Sequence, residues 1–527
     1  MTTLPATLEA AAAEGRVISW FAATAPDRPA VIAGRVTRTY SELDARVNQL
    51  VHHLRAQGLT TDDSIALVAP NRAEWVETYA AAQRSGLRIT PVNWHLGLEE
   101  ARYIIEDCGA KAVVMDGSLA ALAAAADGVP LKLAIGTALA DDNRWAGWDN
   151  YEAALSAQSA DPITNPERGT IMLYTSGTTG QPKGVSRPRT DGVATLTEAA
   201  FSGYLPGAVH LVTGPLYHTA PLMLSLNTPL HGGATLVLME QWDAVTALIL
   251  IAQHRVTHTH MVPTMFHRLL ALPDDVRSSA DTSTLLAVIH GAAPCPVHVK
   301  QRLLEWLGPV VWEYYGATEG AATLVDPKTW LRKPGTVGKP DPIDHVIVGD
   351  DHAVPLPAGT PGSVWIRSNP AERFVYHGDD AKTAGAYRGD YFTLGDVGYL
   401  DDDGYLFLTD RSAHLIVSGG VNIYPAEVDA ALLEHPAVGD VATIGVSNDE
   451  WGESVLAVVE VAAGVTANDE LAAELIEHCR ARIARFKCPR AIDFVTKLPR
   501  QDNGKVAKTK LRDEYRQTLS RRDSIKP

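Results

Sequence analysis

The chain has 527 residues, and its 46 Lys and Arg against 62 Asp and Glu give a formal net charge of −16. Hydrophobic residues make up 46% and charged residues 20%, which excludes a disordered or fibrous protein, and at ~150 residues per domain the length allows about three or four domain-sized units. An acidic chain repels nucleic-acid phosphates and anionic lipid surfaces, so we expect no nucleic-acid partner, and any site for an anionic ligand must be built locally.

The N-terminus and the cysteines favour a cytoplasmic protein. Residues 1–21 lack the basic start and the long apolar run of a secretory signal, and the alanine-rich stretch from Ser118 to Asp127 is too short to cross a bilayer. The four cysteines form no C-x-x-C pair, so neither a zinc site nor a redox pair is indicated. We expect a cytoplasmic chain without membrane insertion, and a homodimer is the default oligomeric state.

Short apolar runs alternate with helical patterns from the N-terminus to about residue 343. Clear helical patterns are Ala73–Arg84 and Ala244–His254. The predicted strands are Ser64–Ala69, Ala112–Met115, Ile171–Tyr174, Ala234–Met239, Val256–Val262, Leu285–His290 and Val310–Tyr315. Because apolar runs separated by helices are typical of buried parallel strands, the pattern predicts an α/β body of parallel-sheet subdomains.

The pattern changes after about Ile343, where strands become shorter and Gly, Pro and Asp more frequent. This small β-rich subdomain, about 343–410, contains the predicted strands Ser363–Arg367, Tyr399–Leu400 and Tyr405–Leu408. A final α+β unit combines predicted strands with one amphipathic helix: Val441–Val446, Val455–Val461, Asp469–Arg485 (the helix) and Ala491–Val495. Thr466 and Asp469 have the capping-box spacing for that helix. We therefore expect an N-terminal body, 1–410, and a small C-terminal lobe, 411–527.

A loop rich in glycine and hydroxyl groups directly follows the predicted strand Ile171–Tyr174. Its candidate binding residues are Thr175, Ser176, Gly177, Thr178, Thr179, Gly180 and Lys183. Glycines expose backbone N–H groups, hydroxyls add donors and a lysine adds positive charge, which together suit a polyphosphate. The spacing differs from the G-x-x-x-x-G-K-[ST] loop. We interpret the segment as a phosphate-binding loop rather than a surface turn.

The same loop closely resembles a known motif. Tyr-Thr-Ser-Gly-Thr-Thr-Gly-x-Pro-Lys-Gly, beginning at Tyr174, is similar to the phosphate loop of the adenylate-forming superfamily, which includes acyl-CoA synthetases, peptide-synthetase adenylation domains and beetle luciferases. Further segments match that superfamily in order: Tyr315–Gly320, Leu394–Tyr399, Asp410–Arg411, Ser418–Glu427 and Pro499–Lys505. The fit extends from about residue 30 to 510, and Ser418–Glu427 is most like the free-standing acyl-CoA synthetases of the fatty-acid–CoA ligase type.

The resemblance implies a site for ATP or AMP and for Mg²⁺. Thr175 to Lys183 would hold the β- and γ-phosphates, Thr318 would donate to the α-phosphate, and Glu319 would bind Mg²⁺. The remaining nucleotide residues are Tyr315, Gly316, Gly291, Ala292 and Ala293 around adenine, with Asp396 and Arg411 at the ribose.

The resemblance also implies a mobile C-terminal lobe and a second substrate, coenzyme A. Lys505 would reach the acyl carboxylate and the α-phosphate during adenylation, and rotation of the lobe about Ala413 would then open a path for pantetheine. Gly419 and Gly420 suit that path, because a residue without a side chain lets a narrow arm pass the backbone. His218 resembles the aromatic gate between the acyl site and the thiol.

The sequence specifies the acid substrate less precisely than the nucleotide. The expected acyl wall consists of Tyr217, His218, Met223, His290, Gly291, Gly316 and Ala317. Several of these residues are small, which favours a bulky or long apolar acid, and none is a lysine or arginine that would bind a second acidic group. Aliphatic, aryl, steroid-like and terpenoid acids all remain open.

The implied activity is that of an AMP-forming carboxylic acid:CoA ligase, and three alternatives stay open. Many relatives have Lys or Asp at the pivot, where this chain has Ala413 and His414. The first alternative is therefore that the chain efficiently catalyses only thioester formation from a pre-formed acyl-AMP. Transfer of the acyl group to a carrier protein is the second. A non-catalytic nucleotide-binding protein is the third, although intact Thr318, Glu319 and Lys505 argue against it.

Overall fold

The computed structural model describes residues 4–136, 143–175, 182–189, 202–205, 207–342, 345–411, 414–418, 421–448, 451–501, 506–508 and 510–515. Over these ranges the chain forms two eight-stranded and two five-stranded sheets. None of the helices within them combines the length and the apolar character that crossing a membrane requires.

The first sheet carries His290, Tyr315, Gly316 and Ala317 of the candidate site residues. In spatial order its strands are Gly320–Val325, Val311–Ala317, Ala287–His290, His258–Met261, Val209–Val212, Thr235–Leu238, Pro29–Ala33 and Val36–Thr39. The inner pairs are parallel, and the strand at each edge is antiparallel to its neighbour. The strands at its centre are buried along their whole length, as expected for a parallel sheet covered on both faces.

The second sheet carries the ends of the phosphate loop. Its strands, in spatial order, are Val375–Tyr376, Lys183–Ser186, Thr170–Thr175, Arg88–Pro91, Ser64–Val68, Ala110–Asp116, Leu131–Ile135 and Asp149–Asn150. Lys183–Ser186 folds back antiparallel on Thr170–Thr175, and Val375–Tyr376 pairs with it at the edge. The chain therefore brings Tyr376 beside the hairpin that carries the loop.

Helices connect and cover these strands. The α-helices of the body are Leu8–Ala13, Val17–Thr24, Tyr40–Ala56, Ala73–Ser85, Leu98–Asp107, Tyr151–Ser156, Thr228–His231, Ala244–His254, Pro263–Leu270, Asp274–Ser279, Val297–Leu307, Pro327–Arg332 and Asp380–Ala386, with a π-helix at Pro221–Asn227. Short 3₁₀ turns are Ala120–Ala126, Asn143–Trp145, Pro370–Glu372 and Arg485–Lys487. Tyr40–Ala56 begins with a capping box, in which the Thr39 hydroxyl accepts from the Glu42 backbone and the Glu42 carboxylate from Thr39.

One continuous apolar core joins the two eight-stranded sheets. It contains Leu43 and Trp75 from two helices, Ile65 from the second sheet, and Val212 and Leu236 from the first sheet. All five residues are essentially inaccessible to solvent. Because this core fixes both sheets against the same helices, loops that follow strands of either sheet are held in a defined relative position.

The third sheet corresponds to the predicted β-rich subdomain. It consists of Val346–Gly349, Gly362–Arg367, Tyr391–Leu400, Tyr387–Arg388 and Leu406–Arg411, all antiparallel. The fourth sheet consists of Val421–Ile423, Ile416–Ser418, Gly452–Val461, Val438–Asn448 and Ala491–Val495. Helices Pro425–Leu433 and Asp469–Arg480 pack on the fourth sheet around a separate apolar cluster.

A few polar contacts join the fourth sheet to the rest of the chain. His267, in helix Pro263–Leu270, donates from Nε2 to the backbone oxygen of Gly439 at 2.8 Å. The Asp410 carboxylate accepts from the backbone N–H of Ala426 at 3.0 Å. Polar contacts of this kind resemble those of a transient interface more than those of a continuous core.

The structure confirms the predicted α/β fold and corrects two details of the C-terminal helix. The helix ends at Arg480 rather than at Arg485, because the following residues form a turn in which Arg482 and Ile483 both donate to the Cys479 carbonyl. The predicted capping box with Thr466 is wrong. Asn468 is the N-cap, and its side-chain oxygen accepts from the Leu471 backbone N–H at 2.8 Å.

Candidate active site

The candidate residues gather where parallel strands of the first sheet end. Gly291 follows Ala287–His290, the segment from Tyr315 to Glu319 lies at the end of the adjacent strand, and His218 follows Val209–Val212 two strands away. In open α/β sheets, ligands bind in the crevice beyond the carboxyl ends of the strands. The topology therefore brings three separate sequence segments to the edge at which a ligand is expected.

Two predicted nucleotide residues meet directly. The Tyr315 hydroxyl donates to Asp396 Oδ2 at 2.8 Å, and both side chains are buried. Asp396 lies on the long strand of the third sheet and stands opposite Arg411 in the antiparallel register. The first and third sheets thus place an aromatic ring, a carboxylate and the Asp410–Arg411 segment together.

Thr318 is held by a residue that the sequence analysis missed. Its hydroxyl lies 2.6 Å from the hydroxyl of Thr219, the residue after His218. Nothing in the local sequence identifies Thr219, because the contact joins loops from two non-adjacent strands. The hydrogen bond fixes the predicted α-phosphate donor next to the predicted gate.

Two small residues lie where the backbone approaches its neighbours closely. A Cβ atom on Gly291 would stand 2.6 Å from Tyr314 Cε1, and one on Gly316 would stand 2.8 Å from Ala321 Cα. Between Tyr315 and Gly316 the hairpin register shifts, as in a β-bulge. Ala292 adopts φ +65°, a conformation uncommon for residues with a side chain and concentrated at functional sites.

Glu319 stands between two side chains that the sequence did not single out. The Tyr376 hydroxyl donates to Glu319 Oε1 at 3.2 Å, and the Arg187 guanidinium donates to the Glu319 backbone oxygen. Burial and the Glu319 carboxylate raise the pKa of Tyr376, so its hydroxyl stays a donor at neutral pH. A carboxylate oxygen is a ligand that Mg²⁺ accepts, and in the described ranges no group of three or more His, Cys, Asp and Glu side chains forms a metal cage.

The ends of the phosphate loop lie opposite each other. Thr175 and Lys183 are partners in the antiparallel hairpin of the second sheet, and Lys183 Nζ lies 3.7 Å from Asp379 Oδ2. Ser176, Gly177, Thr178, Thr179 and Gly180 lie outside the described residues, as do Ala413, Gly419, Gly420 and Lys505. Of the pivot, the structure describes His414, whose Nδ1 lies 3.7 Å from Asp410 Oδ1.

The predicted acyl wall divides between two faces of the first sheet. The rings of Tyr217 and His218 are in contact, with centroids 4.6 Å apart and planes tilted by 56°. Met223 lies in the π-helix Pro221–Asn227, a rare element frequently found at functional sites. The His290 side chain does not join them. It packs on Phe266 with ring centroids 5.0 Å apart, on the face covered by helices, and burial holds its pKa well below the usual range. Only the backbone of His290 can contribute to an acyl wall with Met223.

The opposite face of the same strands carries a buried polar layer that the sequence analysis did not identify. His260 is in register with Ile289, so its side chain points away from the face of His290, and its Nε2 lies 3.3 Å from the Tyr314 hydroxyl. Burial lowers the pKa of His260 to about 4, so the ring is neutral. Among the described residues, His260 Nδ1 and the hydroxyl of Ser225 on the π-helix are buried without a hydrogen-bond partner.

Comparisons with known proteins cover both the body and the C-terminal part of the chain. Residues 18–373 match the AMP-binding enzyme family, and residues 427–505 match the AMP-binding enzyme C-terminal domain. The chain is 32% identical to an indoleacetate–CoA ligase of Aromatoleum aromaticum, covering 92% of this chain and 94% of that protein. It is 33% identical to a feruloyl-CoA synthase of an Amycolatopsis species, covering 93% and 96%. The crystal structure of ATP-bound MatB from Rhodopseudomonas palustris superposes with a TM-score of 0.82 at 28% identity, over 96% of this chain and 99% of that one.

Proposed function

The chain belongs to the AMP-binding enzyme family, and from this premise we propose that it joins a carboxylic acid to coenzyme A through an acyl-AMP intermediate. The observation that carries the proposal is the convergence of Tyr315, Asp396, Thr318 and Glu319 at one edge of the first sheet. The relatives named as CoA ligases support the choice of coenzyme A as the acceptor.

In the first half-reaction, an oxygen of the acid carboxylate bonds to the α-phosphorus of ATP while the bond to pyrophosphate breaks. Tyr315 would face adenine, Asp396 would accept from the ribose hydroxyls, and Thr318 would donate to the α-phosphate. Lys505 would add positive charge between the two anions. Glu319 would hold Mg²⁺, which when bound would neutralise charge on the phosphates. These residues act by positioning and by electrostatics, because the transferred group needs no proton.

In the second half-reaction, the thiol of coenzyme A attacks the acyl carbonyl and AMP leaves. We assign the body to residues 1–410 and the mobile lobe to 411–527, with Ala413 as the pivot. Polar contacts between body and lobe such as those of His267 and Asp410 are compatible with a lobe that rotates. Gly419 and Gly420 would border the pantetheine arm, and His218 would separate it from the acyl site.

The acid is proposed to be bulky or long, mostly apolar and without a second charge. The small side chains of the expected acyl wall, such as Gly316 and Ala317, support a bulky acid. A buried lysine, Lys300, does lie near the strand ends, but Glu313 pairs with it at 2.7 Å on the helix-covered face. It is therefore neutralised by the protein and does not offer a partner to a second carboxylate.

A panel of acids tested in two assays examines this proposal. ATP–pyrophosphate exchange reports adenylation, and supplying synthetic acyl-AMP with coenzyme A reports thioester formation alone. We expect both activities with the same apolar acids. Thioester formation without exchange for any acid would support the pre-formed acyl-AMP alternative, and equal product with coenzyme A and a carrier protein would remove the preference for coenzyme A. Neither activity with any acid would favour a non-catalytic protein.

A further inference from the structure

A second lysine lies next to the phosphate loop, on a segment far away in sequence. Lys382 belongs to helix Asp380–Ala386, which follows the edge strand Val375–Tyr376 of the second sheet. That edge strand pairs with Lys183–Ser186, the strand that leaves the phosphate loop. The sheet therefore brings Lys382 to the side of Lys183.

The contacts of Lys382 connect it to both charged parts of the candidate site. Its Nζ lies 4.3 Å from the centroid of the Tyr376 ring, and the hydroxyl of that ring donates to Glu319 Oε1 at 3.2 Å. On the other side, Lys183 Nζ lies 3.7 Å from Asp379 Oδ2, while Asp379 Oδ1 accepts from the backbone N–H of Lys382 at 2.9 Å. Lys382 thus stands between the loop lysine and the carboxylate assigned to Mg²⁺.

The ammonium of Lys183 disfavours a positive charge on Lys382, and Asp379 and Glu319 offset only part of this effect. Burial, and to a lesser extent the ammonium of Lys183, lower the pKa of Lys382 to about 8. Asp379 and Glu319 act in the opposite direction. A triphosphate carries several negative charges, and bringing it to this place would turn the repulsion into attraction.

We propose that Lys382 is a second triphosphate-binding residue, which acts together with Lys183 on the β- and γ-phosphates of ATP. The inference rests on the proposed function. When the acid oxygen bonds to the α-phosphorus, the electron pair of the breaking P–O bond goes to pyrophosphate, and the ammonium of Lys382 stabilises that charge. Tyr376 positions Lys382 through its ring and Glu319 through its hydroxyl, so one side chain aligns the cation and the metal ligand.

The competing explanation is that Lys382 only stacks on Tyr376 and stabilises the fold. Binding of ATP and of AMP separates the two roles, because AMP lacks the β- and γ-phosphates. We would measure the Kd of both nucleotides by calorimetry for the full-length wild type and for the variants Lys382→Gln and Lys382→Arg. Melting temperatures check that each variant is folded. Lys328→Gln, an exposed lysine on helix Pro327–Arg332, is the matched control.

We expect Lys382→Gln to weaken ATP binding about 10- to 100-fold, as when a charged hydrogen bond is lost, and to leave AMP binding within about threefold. Lys382→Arg should retain most of the ATP affinity, and Lys328→Gln should match the wild type. An unchanged ratio of ATP to AMP affinity in Lys382→Gln, or an equal loss of both, would overturn the inference while leaving the proposed function standing. A wild-type protein that binds neither nucleotide would overturn the proposed function itself.

Discussion

The hydroxyl of Tyr315 donates to Asp396 Oδ2 at 2.8 Å and thereby joins the first sheet to the third sheet inside the candidate site. Each residue lies in its own short motif, and the two motifs come from different sheets. The hydrogen bond holds the ring proposed to face adenine and the carboxylate proposed to accept from the ribose at a fixed spacing. The relationship makes specific predictions for nucleotide binding.

Replacing Asp396 with Asn should weaken binding of ATP and AMP alike. A carboxylate that accepts from ribose hydroxyls contributes a charge-assisted hydrogen bond, whose loss reduces affinity about 10- to 100-fold. The decisive measurement is the Kd of 2′-deoxy- and 3′-deoxy-ATP. These analogues should bind less tightly than ATP to the wild type but almost as well as ATP to Asp396→Asn. An analogue penalty that is equal in both proteins would contradict ribose binding by Asp396.

Thr219 should act as a positioning residue for Thr318, because their hydroxyls lie 2.6 Å apart. Thr219→Val should slow ATP–pyrophosphate exchange about 3- to 10-fold, the effect of one neutral hydrogen bond, with a larger effect on kcat than on KM for ATP. Thr219→Ser keeps the hydroxyl and should restore the rate. If the Val and Ser variants are equally slow, the role of Thr219 is packing, and this prediction fails.

The stability of the protein should fall as the pH drops below about 6.5, because buried histidines resist protonation. Burial lowers the pKa of His260 to about 4, and burial together with Arg168 lowers that of His231 to about 4. Between their ordinary value and about 4, the unfolded chain binds protons that the folded chain does not. Each such histidine therefore contributes about 1.4 kcal/mol of lost stability per pH unit in that window.

A comparison of variants tests this pH dependence. The unfolding free energy of His260→Gln should change less between pH 7 and pH 5 than that of the wild type. The variant lacks one histidine that takes up a proton in this range only when the chain is unfolded. His352→Gln, at an exposed position, should follow the wild-type curve. A constant difference between wild type and His260→Gln over this range would show that the ring of His260 titrates normally.

The buried ion pair behind the site should matter strongly for folding. Lys300 Nζ lies 2.7 Å from Glu313 Oε2 and 4.6 Å from the centroid of the Trp330 ring. Lys300→Met leaves the Glu313 carboxylate buried without its cation, and such changes destabilise a protein by about 3–5 kcal/mol. The double variant Lys300→Met/Glu313→Leu should recover much of that loss, as measured by urea unfolding. A double variant no more stable than the single one would contradict the pairing argument.

The sequence predicted part of the sheet centres, such as Ser64–Val68 and His258–Met261, because buried parallel strands have to be apolar along their length, but it missed the central strands Arg88–Pro91 and Val209–Val212. Two other elements, the helix Ala244–His254 and the strand Ala491–Val495, appear with the predicted bounds. The two-residue strand Val375–Tyr376 and the hairpin strand Val36–Thr39 were missed, since short edge strands carry little periodic signal. Their position depends on the sheet that they join rather than on their own residues.

The candidate site was predicted where its residues lie in motifs and was missed where tertiary contacts define them. Tyr315 and Asp396 come from recognisable segments, whereas Thr219, Tyr376 and Lys382 belong to segments that reach the site only through sheet pairing. His290 shows the opposite error. Its position at a strand end was predicted correctly, but the face to which its side chain points depends on register with Glu313 and Met261, which one sequence does not reveal.

The buried polar layer on the other face leads to a prediction about the acid. His260 Nδ1 and Ser225 Oγ are buried without hydrogen-bond partners in the described part of the chain, beside the π-helix that carries Met223. Leaving such a group unsatisfied costs about 1–3 kcal/mol. An acid that brings a neutral hydrogen-bonding group to this place should therefore bind more tightly than a plain hydrocarbon acid of the same length.

The wild type should therefore prefer, in kcat/KM, acids with a hydroxyl, carbonyl or ring N–H remote from the carboxylate. His260→Leu should reduce this preference about tenfold or more and improve the use of the hydrocarbon acid, while Ser225→Ala should have a smaller effect in the same direction. A preference that does not change in either variant would mean that the polar layer is satisfied by water and does not meet the substrate.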